Sequence, residues 1–178
     1  MASFDIAIAL VLRHEGGFAD HPADKGSATN FGISTPIYSK WLGRPATPLE
    51  VKNMTLNTAK IIYRAWYWNA IQGDTIKDQD VASAFMDMAV LRGVAAASKT
   101  MQKALGLAQD GIIGPKSMAA INAVHPPILL LAFMRECTKA LVNIAVMNPT
   151  QLVFVNNWVA RAHETTYTVS SWLLRSAA

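Results

Sequence analysis

Proline residues divide this apolar chain into segments of helical length. Pro36, Pro48 and Pro115 each stand where a helix can begin, because the first helical position needs no backbone N–H donor and fits the fixed φ angle of proline. Thr47 and Glu50 flank Pro48 at the spacing of a capping box, which satisfies free N–H groups of a first turn. These breaks predict a chain of helices joined by short turns.

The pattern between the breaks predicts an all-α protein. No window alternates apolar and polar residues over several strands, and 52% of the 178 residues are apolar, which suffices for a compact core. Residues 18–33 are predicted to form a loop or small hairpin after the first helix. The predicted helices cover residues 3–14, 35–42, 55–69, 79–91, 94–105, 115–123, 128–147 and 150–174, with a short capped turn that begins at Pro48.

Charge and cysteine content limit the classes of partner. The net charge is +4, but the Lys and Arg residues are scattered singly and form no basic run or known nucleic-acid motif. We therefore predict an anionic polymer or surface as partner, and no nucleic acid. Cys137 is the single cysteine, which excludes an intrachain disulfide, and we interpret it as a small buried hydrophobe.

Two apolar stretches resemble membrane or export segments only superficially. Residues 6–12 lack a basic start and a small-residue cleavage site, so no signal peptide is predicted. The stretch PPILLLAF meets Arg135 and Glu136 well before the roughly 20 residues that a membrane span needs. Both stretches are predicted to be core helices, and we expect no membrane contact.

Glu15 is an unusual residue at the end of the first predicted helix. The backbone dipole leaves a partial negative charge at a helix C-terminus, where a cation is ordinarily favoured. That potential and the apolar helix surface should favour the protonated carboxyl, with Arg13 and His14 in partial opposition. A carboxyl that keeps its proton can act as a general acid.

Asp24 follows nine residues later in a polar turn, where a carboxylate would stay ionised. Glycoside hydrolysis uses two carboxylates in contrasting surroundings, one to protonate the leaving oxygen and one to assist water or stabilise the transition state. Thr29 is placed to hold the attacking water. By themselves these residues also fit an incidental helix-end glutamate beside a solvated turn, so both interpretations stay open.

The string EGGF followed by DKGSATNFGIS resembles the catalytic signature of glycoside hydrolase family 108, the muramidases found as phage endolysins and secretion activator proteins. The usual pattern is Glu-Gly-Gly-aromatic, a short spacer and Asp-x-Gly-Gly-x-Thr-x-x-Gly-Ile, in which Ser27 here replaces one glycine. The resemblance implies a lysozyme-like helical fold, with Glu15 as general acid and with Asp24 and Thr29 as its support. It also implies hydrolysis of the β-1,4 bond between N-acetylmuramic acid and N-acetylglucosamine in bacterial peptidoglycan, without a cofactor.

Later segments extend the resemblance. YRAWYW is similar to a tyrosine-tryptophan stretch of that family, which makes Tyr67 a candidate substrate-binding residue. Asp87, a second candidate, falls on an Asp-x-x-x-Asn-x-Gly element in which Leu91 replaces the asparagine. MQKALGLAQDGIIGPKS resembles the accompanying peptidoglycan-binding segment and adds Gln102 and Asp110 as candidates.

The resemblance also implies an organisation of the chain. Residues 1–92 correspond to a muramidase catalytic region and residues 93–178 to a peptidoglycan-binding helical region, packed as one compact monomer. NNWVAR around Trp158 resembles a late Gly-Trp-x-x-Arg element in which Asn157 replaces glycine. We expect synthesis in the bacterial cytoplasm and action on the cell wall in the periplasm, after release through a holin or another channel.

Two other functions and a metal site compete with this hypothesis. A lytic transglycosylase uses one glutamate but leaves 1,6-anhydro ends, and a non-catalytic peptidoglycan-binding secretion factor would fit if Leu91 and Ser27 have dismantled the cleft. The pair His14-Glu15 suggests a zinc helix, but Phe18 stands where a second histidine is required. No metal is therefore predicted.

Overall fold

The computed structural model of the protein describes residues 1–19 and 28–162. Asp24 and the part of the last predicted helix beyond residue 162 lie outside the described residues. The all-α prediction is confirmed, and the segment after the first helix contains a small antiparallel hairpin of β1 (Thr29–Asn30) and β2 (Ile33–Ser34). The helices are α1 (Phe4–Glu15), α2 (Thr35–Leu42), α3 (Pro48–Lys52), α4 (Leu56–Tyr63), α5 (Gln79–Arg92), α6 (Val94–Ala104), α7 (Pro115–Ala123), α8 (Pro126–Met147) and α9 (residues 152–162).

The local signals for helix ends match the structure closely. The predicted capping box is present, with the Glu50 N–H donating to the Thr47 hydroxyl at 3.2 Å and the Thr47 N–H donating to the Glu50 carboxylate at 2.8 Å. At the end of α1, Gly16 adopts a φ of 66°, a value that glycine tolerates and other residues rarely adopt. Helix α1 therefore stops at Glu15, one residue later than predicted.

The fourth helix differs from the prediction of one continuous helix over residues 55–69. Helix α4 passes into a π-helical turn at Arg64–Trp68, closed by the Asn69 N–H donating to the Arg64 carbonyl at 2.9 Å. The wider turn changes the direction of successive side chains. Trp68 is fully buried, whereas its neighbours Trp66 and Tyr67 stay partly exposed.

Helix α5 occupies the centre of the molecule. Residues 81–89 are all buried, and the helix packs against α1, α6 and α8. The rings of Phe85 on α5 and Phe133 on α8 meet edge to face at 5.7 Å. Buried side chains from both halves of the described chain thus form one core, although the division of labour between residues 1–92 and 93–178 stays a prediction.

Helix α8 contains the PPILLLAF stretch and packs into this core. Cys137 on this helix is fully buried, and burial raises the pKa of its thiol to about 12. Within residues 1–19 and 28–162, no individual helix has both the length and the apolar character of a membrane span. Helices α7 and α8 together have the length and apolar composition of a span, but the chain bends by 119° between them.

The hairpin is fixed by hydrogen bonds on two sides. Ala19 and Thr29 exchange backbone hydrogen bonds of 2.8 Å, which brings together the two ends of the intervening loop. The buried amide of Asn30 donates to the carbonyls of Val51 at 3.1 Å and Lys52 at 3.0 Å, at the end of α3. The hairpin is thereby held at a fixed position relative to α3.

We predict that Asn30→Asp destabilises the protein by about 2–4 kcal/mol at pH 7, because the carboxylate removes two donors and faces two carbonyl oxygens in a buried site. Asn53→Asp makes the same chemical change on the exposed residue that follows α3 and should cost less than about 1 kcal/mol. The free energy of unfolding in urea measures both. Equal losses for the two variants would show that the Asn30 contacts do not hold the hairpin.

Candidate active site

The end of α1 and the turn of the hairpin bring Glu15 into a crowded site. The Glu15 side chain is 18% exposed. A Cβ atom at Gly32 would lie 2.5 Å from Glu15 Oε2 and 2.6 Å from the Tyr63 hydroxyl oxygen. The Tyr63 hydroxyl donates to the Phe31 carbonyl at 2.9 Å. The turn therefore packs directly on the carboxyl that the sequence identified.

The turn itself is held in an unfavourable conformation. Phe31 and Gly32 have φ angles of 50° and 76°, as a two-residue hairpin turn of the favoured twist requires. Glycine adopts such angles readily, whereas phenylalanine does so at a cost of about 1–3 kcal/mol. The hydrogen bond from Tyr63 to the Phe31 carbonyl helps to hold this conformation next to Glu15.

Two further helices complete the site with a buried charge pair. Asp87 on α5 is fully buried, and Arg161 on α9 binds its carboxylate through Nε at 3.1 Å and Nη2 at 2.8 Å. The remaining nitrogen, Nη1, lies 2.7 Å from Glu15 Oε1. His14 Nδ1 lies 3.3 Å from Asp87 Oδ1. We call His14, Glu15, Asp87 and Arg161 the Glu15 cluster.

The electrostatics of the Glu15 cluster follow from this geometry. Burial works to raise the pKa of the Asp87 carboxyl, but hydrogen bonds with His14 and Arg161 and the charge of Arg161 outweigh it, so this pKa lies below its usual range. For Tyr63 and Tyr67, burial and then the negative charge of Glu15 raise the pKa of each phenol. Both tyrosines therefore stay neutral donors near the carboxyl.

The surroundings of Glu15 differ from those expected from the sequence. The sequence predicted a helix end and an apolar surface around Glu15, and the structure adds a guanidinium in contact with the carboxyl. Arg161 is the arginine of the NNWVAR segment, so the late motif contained the signal. The residues next to Arg161 in the sequence do not indicate its role, because its partners Glu15 and Asp87 lie on α1 and α5, far away in the sequence.

The other predicted catalytic residues are only partly placed. Thr29 lies in β1, in the hairpin whose turn packs on Glu15. Asp24 lies outside the described residues. The catalytic roles of Glu15, Asp24 and Thr29 stay predictions.

The predicted substrate-binding residues lie in different surroundings. Tyr67 is partly exposed near Glu15, whereas Asp87 is fully buried by its partners. Gln102 is also buried, and its amide donates to Asp110 Oδ1 at 2.6 Å and accepts from the Gly111 N–H at 2.9 Å. Direct sugar contact stays a prediction for these residues, and the burial of Asp87 and Gln102 favours a structural role.

Two concave surfaces lie near these elements. One, about 370 Å³ in volume, includes Leu91, the residue that departs from the family pattern, and it lies between α5, α6, α8 and α9. The second, about 490 Å³ in volume, we call the aromatic groove. It is lined by Lys40, Ala65, Trp66, Tyr67, Gly93 and Val94.

Tyr67, which lines the aromatic groove, packs against Tyr63 with the ring centroids 5.5 Å apart, and the Tyr63 hydroxyl donates to the turn that packs on Glu15. Among residues 1–19 and 28–162, no three His, Cys, Asp or Glu side chains are placed to hold a metal ion together.

Comparisons with known proteins agree with this arrangement. The family model described as Glycosyl hydrolase 108 matches residues 8–93, and the one described as Predicted Peptidoglycan domain matches residues 96–163. Among solved structures, SagA from Brucella abortus is 34% identical, with a TM-score of 0.82 and coverage of 94% of each chain. The lysozyme-like helical fold that the signature implied is thus confirmed. Among curated proteins, none matches this chain.

We predict that the Asp87–Arg161 pair stabilises the protein as a unit. Arg161→Met should cost about 3–5 kcal/mol, because it leaves a buried carboxylate without its main partner. The double variant with Asp87→Asn should lose less than the sum of the two single variants, because it removes both charges together. Urea unfolding of the four proteins measures this coupling, and Arg44→Met, which breaks the exposed pair with Glu50, should leave the midpoint nearly unchanged.

The same pair sets the sign of a pH dependence. Because the pKa of Asp87 is lowered in the folded protein, its stabilisation is present above the unfolded pKa of about 3.9 and is lost as the pH falls through the folded value. The wild type should therefore lose more stability below pH 4 than the double variant does. Additive losses together with identical acid sensitivity would contradict the pairing.

A second prediction concerns the close approach of the hairpin turn. Gly32→Ala should destabilise the protein by about 1–3 kcal/mol more than Gly43→Ala, because the new methyl group meets Glu15 and Tyr63. Gly43 has a similar positive φ of 69°, but a methyl group there would meet no atom within 4 Å, so it controls for backbone strain alone. Thermal unfolding distinguishes them, and similar midpoints would mean that the turn can move away from Glu15.

Proposed function

Since this chain belongs to the glycosyl hydrolase 108 family, we propose that it is a muramidase. It cleaves the β-1,4 bond between N-acetylmuramic acid and N-acetylglucosamine in peptidoglycan, with Glu15 as the proton donor. The match of residues 96–163 to a peptidoglycan domain supports the same polymer as partner. The proposal needs no metal or cofactor, because two carboxylates and water suffice for this hydrolysis.

One observation carries the assignment of Glu15. Of the two carboxylates in the Glu15 cluster, Asp87 has a fully buried side chain, whereas the Glu15 side chain is 18% exposed. A proton donor must come within hydrogen-bond distance of the glycosidic oxygen. Glu15 can therefore reach a bound substrate, and Asp87 serves to position Arg161.

Arg161 gives Glu15 a defined starting position. The guanidinium keeps its contacts to Asp87 through Nε and Nη2, so Glu15 is attached to it by Nη1 alone. Turning the Glu15 side chain toward a substrate gives up that one contact, at a cost of about 1.5–3 kcal/mol. Glu15 takes up a proton from water as it leaves the guanidinium and donates that proton to the leaving oxygen. The resulting carboxylate can then return to the same cation, which stabilises its negative charge.

The family signature supplies the rest of the proposal. We infer that Asp24 stays ionised and assists water or stabilises the positive charge of the sugar, while Thr29 holds the water. The backbone pairing of Ala19 with Thr29 supports this inference, because the loop between them begins and ends beside the hairpin that contacts Glu15.

Glu15→Gln tests the central step. The variant should keep its thermal stability and its binding to purified sacculi but lose at least about a hundredfold in turbidity clearing, because the amide has no proton to donate at neutral pH. Glu50→Gln makes the same change at the exposed capping box and should keep full lytic activity. Continued lysis by Glu15→Gln would remove Glu15 from the mechanism.

Mass spectrometry of the wild-type digest tests the reaction itself. Reducing muramic acid ends carry one water more than 1,6-anhydro ends, so hydrolysis and lytic transglycosylation differ in product mass. Anhydro products would replace the muramidase proposal with the transglycosylase. A wild-type protein that binds sacculi but releases no soluble sugar would show a binding function without catalysis.

A further inference from the structure

We propose that the aromatic groove is a substrate subsite that reads a carboxylate on the peptidoglycan strand, with Trp66 and Tyr67 as its sugar-binding walls and Lys40 as its cation. This inference rests on the proposed function and adds a specificity to it. The carboxylate belongs to the peptide stem or, on muramic acid that has lost its stem, to the lactyl group, whose carboxyl is otherwise amide-bonded to the stem. Both sources offer the same chemistry to Lys40.

The dimensions and walls of the groove fit one sugar unit with its substituent. A volume of about 490 Å³ lies within the range of roughly 300–1,000 Å³ that small-molecule sites occupy. Trp66 and Tyr67 present partly exposed aromatic surface, which suits the apolar C–H face of a pyranose ring. At Gly93 a side-chain carbon would meet no atom within 4 Å, so this part of the wall stays open.

Lys40 supplies a cation that no carboxylate in residues 1–19 and 28–162 neutralises. Its ammonium lies 5.4 Å from the centroid of the Trp66 ring, a contact that holds a cation by its attraction to the π face. Among the residues that the structure describes, no carboxylate forms an ion pair with it. Lys40 is exposed at the end of α2, and a flexible ammonium suits a carboxylate on a mobile peptide.

The groove lies close enough to the Glu15 cluster to act on the same strand. The Tyr67 ring packs against that of Tyr63 at 5.5 Å, and the Tyr63 hydroxyl binds the turn that contacts Glu15. Burial and then the charge of Glu15 raise the pKa of the Tyr67 phenol. A glycan strand with one sugar at Glu15 can thus place a neighbouring sugar in the groove.

Binding measurements in the full-length Glu15→Gln variant test the proposal without hydrolysis. The probes are soluble peptidoglycan strands that bear peptide stems, the same strands after removal of the stems by an amidase, and chitopentaose, which has no carboxylate. Lys40→Ala should raise the Kd for the strand that presents the carboxylate, stem-bearing or stripped, about two- to five-fold, and Lys40→Glu should raise it further. Lys77→Ala removes an exposed lysine outside both the groove and the peptidoglycan-domain match and should leave every Kd unchanged.

The comparison between probes identifies the source of the carboxylate. Amidase cleavage frees the lactyl carboxylate that had been amide-bonded to the stem. If Lys40 binds a stem carboxylate, the effect of Lys40→Ala disappears on stripped strands, and if it binds the lactyl carboxylate, the effect is found only on stripped strands. In both cases chitopentaose binds the Lys40→Ala variant as it binds the parent. The effect should also shrink as salt is raised, because an exposed ion pair is screened.

A second variant tests the aromatic wall. Trp66→Leu should weaken the binding of all three probes, including the neutral one. Trp41 contacts the Trp66 ring at 5.5 Å but does not line the groove, so Trp41→Leu should weaken binding less. Circular dichroism and thermal midpoints establish that each variant is folded.

Three results would overturn the subsite: equal Kd values for Lys40→Ala and Lys77→Ala with both charged probes, an equal loss with chitopentaose, or no measurable binding of either charged probe to the parent. Failure of the muramidase proposal gives a different pattern. In that case wild-type protein releases no sugar, while the Lys40 and Trp66 variants still weaken binding.

Discussion

A buried carboxylate on the central helix determines how the site is assembled. An ionised group with no access to water costs several kcal/mol unless charged or polar partners surround it. Asp87 obtains its partners from two other helices, with His14 from α1 and Arg161 from α9. Because Arg161 also contacts Glu15, the position of the exposed carboxylate depends on the neutralisation of the buried one.

This dependence joins the two family segments of the chain. Arg161 belongs to the segment that matches a peptidoglycan domain, whereas Glu15 and Asp87 belong to the segment that matches glycosyl hydrolase 108. The second segment therefore contributes a charge to the cluster of the first, in addition to any contact with the cell wall. The apolar core also joins the two segments, because α5 of the first segment packs against α6 and α8 of the second.

Sequence predicted the features that depend on neighbouring residues. The capping box at Thr47 and the end of the first helix, predicted to within one residue, both follow from local backbone chemistry. The contact between Arg161 and Glu15 was missed, because it needs the tertiary arrangement of α1, α5 and α9. Gln102 shows the same limit, since a motif match cannot tell a buried amide that ties a turn from one that binds sugar.

The π-helical turn explains how one short segment can serve both the core and the surface. In a regular α-helix, the successive aromatics of RAWYW would be spaced by about 100°, and the extra residue in the wider turn changes that spacing. Trp68 is committed to the core, where its indole N–H donates to Asp74 at 2.8 Å. Trp66 and Tyr67 are thereby left to line the groove. The core and the groove are thus served by different rings, so the walls of the groove can change without removing the tryptophan that holds the segment in place.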